Sequence, residues 1–304
     1  MRAEPDASPP LLRSMLFVPA DSERKLARAA GADADALILD LEDSVVAARK
    51  PHARGLAADF LRERRARPRS GVWVRINAVT EPESERDLDA VLPHGPAGIV
   101  LPKPRSAGDV LRLAARLDER ERRLGLEPGA TRILPIATET PAALFALGGY
   151  AGCGPRLAAL TWGAEDLRVA LGAATNVDER GEWLPTYALA RSLCLLAAAA
   201  ARVPAIDTVF TDFADEDGLL RQAAAARRDG FVGKLAIHPA QVEPLNRAFT
   251  PSREAIAHAQ RVVAAFAASE SGTVALDGRM LDKPHLEHAR RVLSLARRID
   301  QGPV

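Results

Sequence analysis

Short apolar runs alternate with longer amphipathic stretches along most of the chain, and this alternation constrains the fold more than any other feature. Eight such runs lie at residues 15–18, 36–41, 72–76, 98–101, 132–136, 157–161, 206–210 and 231–237. Runs that are apolar throughout, each followed by a helical pattern, predict parallel strands covered on both faces. Eight such units favour an α/β fold closed into a (β/α)8 TIM barrel. No glycine-rich dinucleotide fingerprint follows the first run, which disfavours an open Rossmann sheet.

The same pattern predicts where the parts of the chain begin and end. The sequence predicts a flexible tail at residues 1–12, a barrel domain at residues 13–250 and a helical extension at residues 251–304. The extension contains two helical patterns and, between them, an extended piece that leads to an Asp277-Gly278 turn. Because it is longer than the last crossover of a barrel, we expect a lid or an arm that docks on a neighbouring subunit.

The charge balance and the cysteine count bear on partners and location. The 41 basic and 40 acidic residues nearly cancel, so no global field points to nucleic acid. Two cysteines do not make a disulfide framework in 304 residues, which favours a reducing compartment. Residues 1–10 lack the apolar stretch of a signal peptide, and the alanine-rich run at 193–201 is too short to cross a membrane. We therefore expect a cytoplasmic protein with no membrane or nucleic-acid partner.

Charged and hydrogen-bonding residues follow nearly every predicted strand, at the end where a barrel of this kind carries its catalytic groups. Glu139 follows the fifth strand and Asp166 the sixth, and neighbouring strands lie about 4.8 Å apart. Two carboxylates at that spacing could share one Mg2+ ion. Both residues also lie where a helix begins, a position that favours acidic side chains without any metal. The spacing alone leaves both interpretations open.

Arg75 lies at the end of the third predicted strand, from which it should project into the mouth of the barrel. A buried guanidinium needs an anionic partner, and its forked shape suits a carboxylate. That partner could belong to a substrate, or it could be an internal carboxylate, Asp40 or Asp43.

Seven segments, in this order, resemble the citrate lyase beta-chain group within the HpcH/HpaI aldolase superfamily. They are residues 13–19 (RSMLFVP), 39–45 (LDLEDSV), 74–77 (VRIN), 100–103 (VLPK), 139–141 (ETP), 163–167 (GAEDL) and 233–239 (GKLAIHP). The resemblance implies a Mg2+-dependent carbon–carbon lyase on a (β/α)8 barrel, with Glu139 and Asp166 as the metal ligands. It also implies that Arg75 binds the oxygen of a 2-keto acid.

The resemblance extends to the coenzyme A contacts and to the assembly. The region that contacts coenzyme A in relatives contains Ser14, Phe17, Arg24 and Lys25. Residues 280–284 (MLDKP) resemble the C-terminal segment of malyl- and citramalyl-CoA lyases, in which an aspartate from a neighbouring subunit completes the site. Asp282 is therefore implied as a catalytic residue, in a homo-oligomer that is a trimer or a hexamer.

Three functions compete at this point. The resemblance implies cleavage or formation of a 3-hydroxyacyl-CoA thioester of the citryl-, malyl- or citramalyl-CoA type, with acetyl-CoA or another acyl-CoA and a 2-keto acid as products. A pyruvate-type aldolase on free hydroxy-keto acids is disfavoured, because such relatives carry a histidine near the end of strand two and the nearest one here is His52. A non-catalytic CoA-binding paralogue is disfavoured by the joint presence of Arg75, Glu139, Asp166 and Asp282.

Overall fold

The computed structural model describes residues 11–65, 71–269 and 271–301. Residues 1–10 of the predicted tail lie outside the described residues, and the predicted domain boundaries remain predictions. The chain divides into two compact units, Met1–Ala248 and Phe249–Val304. Across the described ranges, no helix combines the length and the apolar character that crossing a bilayer requires.

Eight parallel strands form the sheet of the first unit. They are β1 (Ser14–Pro19), β2 (Ala36–Asp40), β3 (Gly71–Arg75), β4 (Gly98–Leu101), β5 (Arg132–Pro135), β6 (Leu160–Thr161), β7 (Ala205–Asp207) and β8 (Gly233–Ala236). Hydrogen-bonded neighbours follow the order β5-β4-β3-β2-β1-β8-β7-β6. Isolated parallel bridges, such as Ile136 with Thr161, link β5 to the β6 segment and leave the barrel nearly closed. The predicted (β/α)8 barrel is confirmed, and each predicted run overlaps one strand.

Helices alternate with these strands along the chain. They are α1 (Glu23–Ala30), α2 (Lys50–Arg65), α3 (Pro82–Val91), α4 (Ala107–Leu124), α5 (Pro141–Leu144), α6 (Ala164–Leu171), α7 (Pro185–Ala200), α8 (Glu216–Asp229) and α9 (Val242–Phe249). Side-chain caps fix several helix starts: the hydroxyl of Ser22 accepts from the N–H of Lys25, and Asp215 accepts from Gly218. These caps hold the loops that follow the carboxyl ends of the strands.

Apolar side chains from most strands fill the interior of the barrel. Among them are Met15, Ile38, Trp73, Val100, Leu134, Ile136, Ile206 and Leu235. Gly98 makes room for the indole of Trp73, because a Cβ at Gly98 would lie 2.3 Å from a ring carbon. Since side chains occupy the centre, the chemistry of such a barrel belongs at the strand ends and not in a central pore.

The second unit consists of a helical pair with a β-hairpin between the helices. Its elements are α10 (Arg253–Ala267), β9 (Val274–Leu276), β10 (Arg279–Leu281) and α11 (Lys283–Gln301). The hairpin turns at Asp277 and Gly278, whose φ angles of 51° and 74° are the left-handed values of a tight two-residue turn. The predicted Asp277-Gly278 turn and both predicted helices are confirmed. Apolar side chains form the core of this unit, with Ala259, Val262, Leu281 and Ala289 among them.

Candidate active site

Strands β2 and β3 deliver charged side chains to the same end of the barrel. Side chains alternate along a strand, so Asp40 lies on the face of Ile38, and Arg75 lies on the face of Trp73. Ile38 and Trp73 belong to the barrel interior. Asp40 and Arg75 are also direct register partners at the last paired position of the two strands. The interior rows of β2 and β3 therefore end in a carboxylate that faces a guanidinium.

Arg75 is held by two carboxylates and one aromatic ring. Its Nε and Nη2 donate to Oδ1 and Oδ2 of Asp40 at 2.7 and 2.6 Å. Its Nη1 lies 3.2 Å from Oε2 of Glu42, and its guanidinium carbon lies 4.8 Å from the ring centroid of Phe17. Burial opposes ionisation of Asp40, but the bonds from Arg75 outweigh burial and lower the Asp40 pKa. The internal pairing that the sequence left open is present, with Asp40 and not Asp43 as the main partner.

Lys103, at the end of β4, was not among the predicted site residues. Its Nζ lies 2.7 Å from Oε1 of Glu42 and 2.7 Å from Oδ2 of Asp43. Oδ1 of Asp166 is 3.7 Å from the same nitrogen. Burial works against the charged amine, but the bonds to Asp43 and Glu42 outweigh burial and raise the Lys103 pKa. The side chain is therefore an ammonium surrounded by three carboxylates.

The backbone of Lys103 is unusual as well. Its φ is 50°, a left-handed value that residues with a Cβ rarely adopt. Its N–H donates to Oε2 of Glu139. The sequence shows a lysine at a strand end between Pro102 and Pro104. That position could have marked Lys103 as a candidate, but the backbone conformation that aims its N–H at Glu139 has no signature in the sequence.

The structure brings Glu139 and Asp166 together, as their places after neighbouring strands predicted. Burial and then the charge of Asp166 raise the pKa of Glu139 well above its ordinary value. A Cβ on Gly163 would lie 2.6 Å from Cγ of Glu139, so only a glycine at the end of β6 leaves room for this side chain. Asp166 follows in the first turn of α6, with its side chain 35% exposed. The two carboxylates thus meet with Glu139 buried and Asp166 partly exposed to solvent.

We call the charged residues at this end of the barrel the rim cluster. Its members are Asp40, Glu42, Asp43, Arg75, Lys103, Glu139 and Asp166. Five of these seven are carboxylates, so the cluster carries an excess of negative charge that suits a hard cation. Within the described residues, no group of three or more His, Cys, Asp and Glu side chains is arranged to bind a metal. The residues present fit Mg2+, which is held by one or two carboxylates and keeps several waters.

The residues predicted to contact coenzyme A lie in two different places. Arg24 and Lys25 are exposed in the first turn of α1, just after the carboxyl end of β1. Ser14, by contrast, is buried at the amino end of β1. Its hydroxyl donates to Oδ1 of Asn246 at 2.7 Å and accepts from the N–H of Asp35. These surroundings do not support a coenzyme A contact for Ser14, because β1 runs from there toward the rim.

Asp282 lies in the second unit, between β10 and α11. Its side chain is 44% exposed, and its Oδ1 is 2.6 Å from Nδ1 of His285. The carboxylate is thus accessible and is oriented by a neighbour one helical turn away. Its predicted role in catalysis stays a prediction.

Comparisons with known proteins point to one family. Residues 13–239 match the family model of HpcH/HpaI aldolase/citrate lyase, and residues 189–299 match that of a C–C bond lyase of the TIM-barrel fold. A citrate lyase subunit beta-like protein of Mycobacterium tuberculosis is 38% identical over 285 residues, which cover 92% of this chain and 94% of the relative. A (3S)-malyl-CoA thioesterase of Cereibacter sphaeroides is 33% identical over 292 residues, 94% of this chain and 95% of the relative.

A solved structure adds ligands to the comparison. The crystal structure of CitE from Mycobacterium tuberculosis in complex with magnesium, acetoacetate and coenzyme A matches with a TM-score of 0.77 at 34% identity. The match covers 96% of this chain and 99% of that chain. The resemblance seen in the seven segments is confirmed. The chain is therefore a member of the HpcH/HpaI aldolase/citrate lyase family and, with its citrate lyase beta-subunit relatives, a carbon–carbon lyase.

Proposed function

We propose that this protein is a Mg2+-dependent lyase that cleaves or forms a 3-hydroxyacyl-CoA thioester with a carboxylate on its carbinol carbon. The products of cleavage are acetyl-CoA or another acyl-CoA and a 2-keto acid. The observation that carries the proposal is the meeting of two mutually repelling carboxylates, Glu139 and Asp166, in the rim cluster that also holds Arg75. The CitE structure that holds magnesium, acetoacetate and coenzyme A supports it.

Glu139 and Asp166 are the residues that would hold the ion. When bound, Mg2+ supplies a Lewis acid and a template for the carboxylate and hydroxyl oxygens of the substrate. The N–H of Lys103 fixes one oxygen of Glu139, and Gly163 leaves the space that this side chain occupies. The chain thus positions one buried ligand rigidly and one more exposed ligand at the edge of the site.

Cleavage requires the carbinol hydroxyl to lose its proton to solvent, and Arg75 would offset the negative charge that this oxygen carries until it becomes a carbonyl. The two bonds to Asp40 fix the plane of the guanidinium, and Phe17 lies against its face. A donor fixed before the reaction stabilises developing charge without reorganising at the moment of bond cleavage. Asp40 and Phe17 are positioning residues in this scheme, which gives Phe17 a role next to the reacting atoms as well as the predicted coenzyme A contact.

Asp282 of a neighbouring subunit would move the proton at the α-carbon of the acyl-CoA. In cleavage it would protonate the enolate carbon, and in the reverse direction it would remove a proton from the same carbon. The contact with Nδ1 of His285 would orient its carboxylate. A homo-oligomer, trimer or hexamer, is part of this proposal because the residue has to reach another copy's rim cluster.

Arg24 and Lys25 would meet the phosphates of coenzyme A. Both are exposed beyond the end of β1, and neither forms an ion pair with another described residue. Cations placed this way attract an anionic ligand and leave the reaction itself to the rim cluster.

A thioester substrate is favoured over a free hydroxy-keto acid. Residues 41–49, which connect β2 to α2, contain carboxylates and no histidine, and His52 is exposed in α2. The similarity to a malyl-CoA thioesterase also favours an acyl-CoA substrate. The panel that tests the proposal should therefore contain malyl-, citramalyl- and citryl-CoA.

The experiment follows 2-keto acid, acyl-CoA and free coenzyme A released from each thioester. We expect keto acid and acyl-CoA in equal amounts, loss of activity after exhaustive EDTA treatment, and recovery on addition of Mg2+. Cleavage that persists in metal-free protein would contradict the metal site. Free coenzyme A without keto acid would show thioester hydrolysis in place of carbon–carbon cleavage.

Placement of Asp282 across subunits has its own test. Asp282→Asn and Arg75→Ala protein would be unfolded, mixed and refolded together, so that mixed oligomers form. If the residue acts on a neighbouring copy, mixed oligomers contain some intact sites and recover part of the activity that neither variant has alone. Absence of recovery in oligomers verified to be mixed would contradict this placement.

A further inference from the structure

The ammonium of Lys103 gathers carboxylates from two separate loops. Its Nζ lies 2.7 Å from oxygens of both Glu42 and Asp43, which follow β2. The same atom lies 3.7 Å from an oxygen of Asp166, in the first turn of α6. The two shorter distances are those of charge-assisted hydrogen bonds, and the third is a looser ion pair. One cationic atom thus engages Asp43, which forms no ion pair with Arg75 among the described contacts, and shares Glu42 with Arg75.

The main chain fixes this arrangement. Lys103 is held in the left-handed region, and its N–H donates to Glu139. Pro104 follows it and by itself favours extended backbone at Lys103, so the left-handed φ is held against that preference. A single residue therefore contacts both proposed metal ligands, Glu139 through its backbone and Asp166 through its side chain. Backbone strain of this kind persists only where the surroundings hold it in place.

We propose that Lys103 determines which divalent cation the rim cluster binds, an inference that rests on the proposed metal site at Glu139 and Asp166. The ammonium engages Glu42 and Asp43 and so keeps them from becoming ligands. The ion is left with two carboxylates, water and substrate oxygens, which is the coordination that Mg2+ favours. Ca2+ takes six to eight oxygens and would gain from the two withheld carboxylates. Lys103 thereby selects Mg2+ and keeps coordination positions open for the keto acid.

The test measures Mg2+ and Ca2+ affinities by titration calorimetry without substrate, so that the readout is independent of turnover. In Lys103→Met the two carboxylates lose their ammonium, and we expect the Ca2+-to-Mg2+ affinity ratio to rise about tenfold or more over wild type. Lys103→Arg keeps the charge and should keep the ratio within about twofold. Arg122→Gln removes one exposed positive charge at the far end of α4 and should leave the ratio unchanged.

A second substitution identifies the freed ligand. Asp43 is more exposed than Glu42 and forms no ion pair with Arg75 among the described contacts. Adding Asp43→Asn to Lys103→Met should bring the ratio back toward wild type, whereas Asp43→Asn alone should change it little. If Lys103→Met does not fold, Lys103→Asn removes the same charge with a residue that tolerates left-handed backbone.

The outcomes separate this inference from the proposed function. Wild-type protein that binds Mg2+, together with an unchanged or lower ratio in Lys103→Met, would overturn the role of Lys103 and leave the metal site intact. Wild-type protein that binds neither cation would overturn both.

Discussion

Two clusters of charged side chains in the barrel differ in the balance of their charges, and the difference predicts which cluster stabilises the fold and which one binds a ligand. The second group, which we call the wall cluster, consists of Trp162, Arg191, Asp207 and Lys234. Lys234 Nζ and Trp162 Nε1 each donate to Asp207 at 2.7 Å, and Arg191 Nε lies 3.4 Å from it. Their strand neighbours Ile206 and Leu235 point into the barrel interior, so Asp207 and Lys234 point toward the helices.

In the wall cluster Asp207 has enough cationic partners to stay ionised, while burial lowers the pKa of Lys234. Burial works against the ionised form of Asp207, but Lys234, Arg191 and the bond from Trp162 outweigh burial and lower its pKa. In the rim cluster burial and the charge of Asp166 act in the same direction and raise the pKa of Glu139. A carboxylate with enough partners stabilises a fold, and a carboxylate with too few is poised to gain from a cation.

From this comparison we expect substitutions in the rim cluster to cause the largest loss of activity. Glu139→Gln and Asp166→Asn should each lower Mg2+-dependent turnover by about a thousandfold or more, because in the proposed function each substitution removes a ligand of the Mg2+ ion. Steady-state kinetics at saturating Mg2+ measures this. Thermal unfolding in EDTA should show Glu139→Gln at least as stable as wild type, since glutamine avoids the cost of keeping this buried carboxyl group protonated. Either variant with more than about a tenth of wild-type activity would contradict the assignment.

A substitution in the wall cluster should lower the stability of the protein and leave its activity nearly unchanged. Lys234→Met leaves Asp207 buried with one partner fewer and should lower the free energy of unfolding by about 3–5 kcal/mol, while kcat of the folded protein stays near wild type. Urea denaturation and kinetics well below the unfolding transition measure the two effects. Adding Asp207→Asn should restore part of the stability, because the uncompensated charge is removed. A large loss of kcat without a loss of stability would move Lys234 into the functional site.

The barrel, and the nearness of Glu139 and Asp166 in the rim cluster, could be predicted from the sequence alone. Strands that are apolar throughout mark both faces as covered, and the residue after each strand lies at one end by geometry. Glu139 and Asp166 could be paired on that ground alone. Arg75 could be placed at the rim, but its partner was left open between Asp40 and Asp43 because both follow the same strand.

Other features depend on conformation that a sequence does not display. The left-handed backbone of Lys103 decides that its N–H meets Glu139 and its ammonium meets Glu42. Ser14 was associated with coenzyme A through its sequence segment, yet it lies at the opposite end of β1 and bonds to Asn246, 232 positions away. In both cases the contact joins segments that are distant in the sequence, so the local motif does not show it.

The contributions of the two clusters to the free energy of unfolding should also change with pH in opposite directions. In metal-free protein, folded Glu139 keeps a proton that the unfolded chain loses above its ordinary pKa of 4.5, so this residue's contribution to stability falls as pH rises from there. The contribution of Asp207 is present above its ordinary pKa of 3.8 and is lost as pH falls below that range. The difference in stability between Glu139→Gln and wild type should therefore grow with pH.

Urea denaturation in EDTA at pH 5, 6, 7 and 8 measures this trend. Saturating Mg2+ provides the control, because it stabilises wild type more strongly as Glu139 ionises and should shrink the difference at high pH. A difference that stays constant across this range in EDTA would show that Glu139 is not a buried carboxylate with too few cationic partners.

The smallest expected effects come from charges that are unbalanced but exposed. Arg24→Met and Lys25→Met should each raise KM for a CoA thioester about two- to fivefold without changing kcat, because exposed ion pairs contribute little and are screened by salt. Arg28→Met, in the last turn of the same helix, is the matched control. An equal effect of Arg28→Met would point to a diffuse field around α1, whereas an effect confined to the first turn, and lost at high ionic strength, would locate the phosphates beside the rim cluster. An excess of one charge would then indicate a ligand site both in the rim cluster and in the exposed first turn of α1. The burial of each side chain would determine how much its charge contributes to binding.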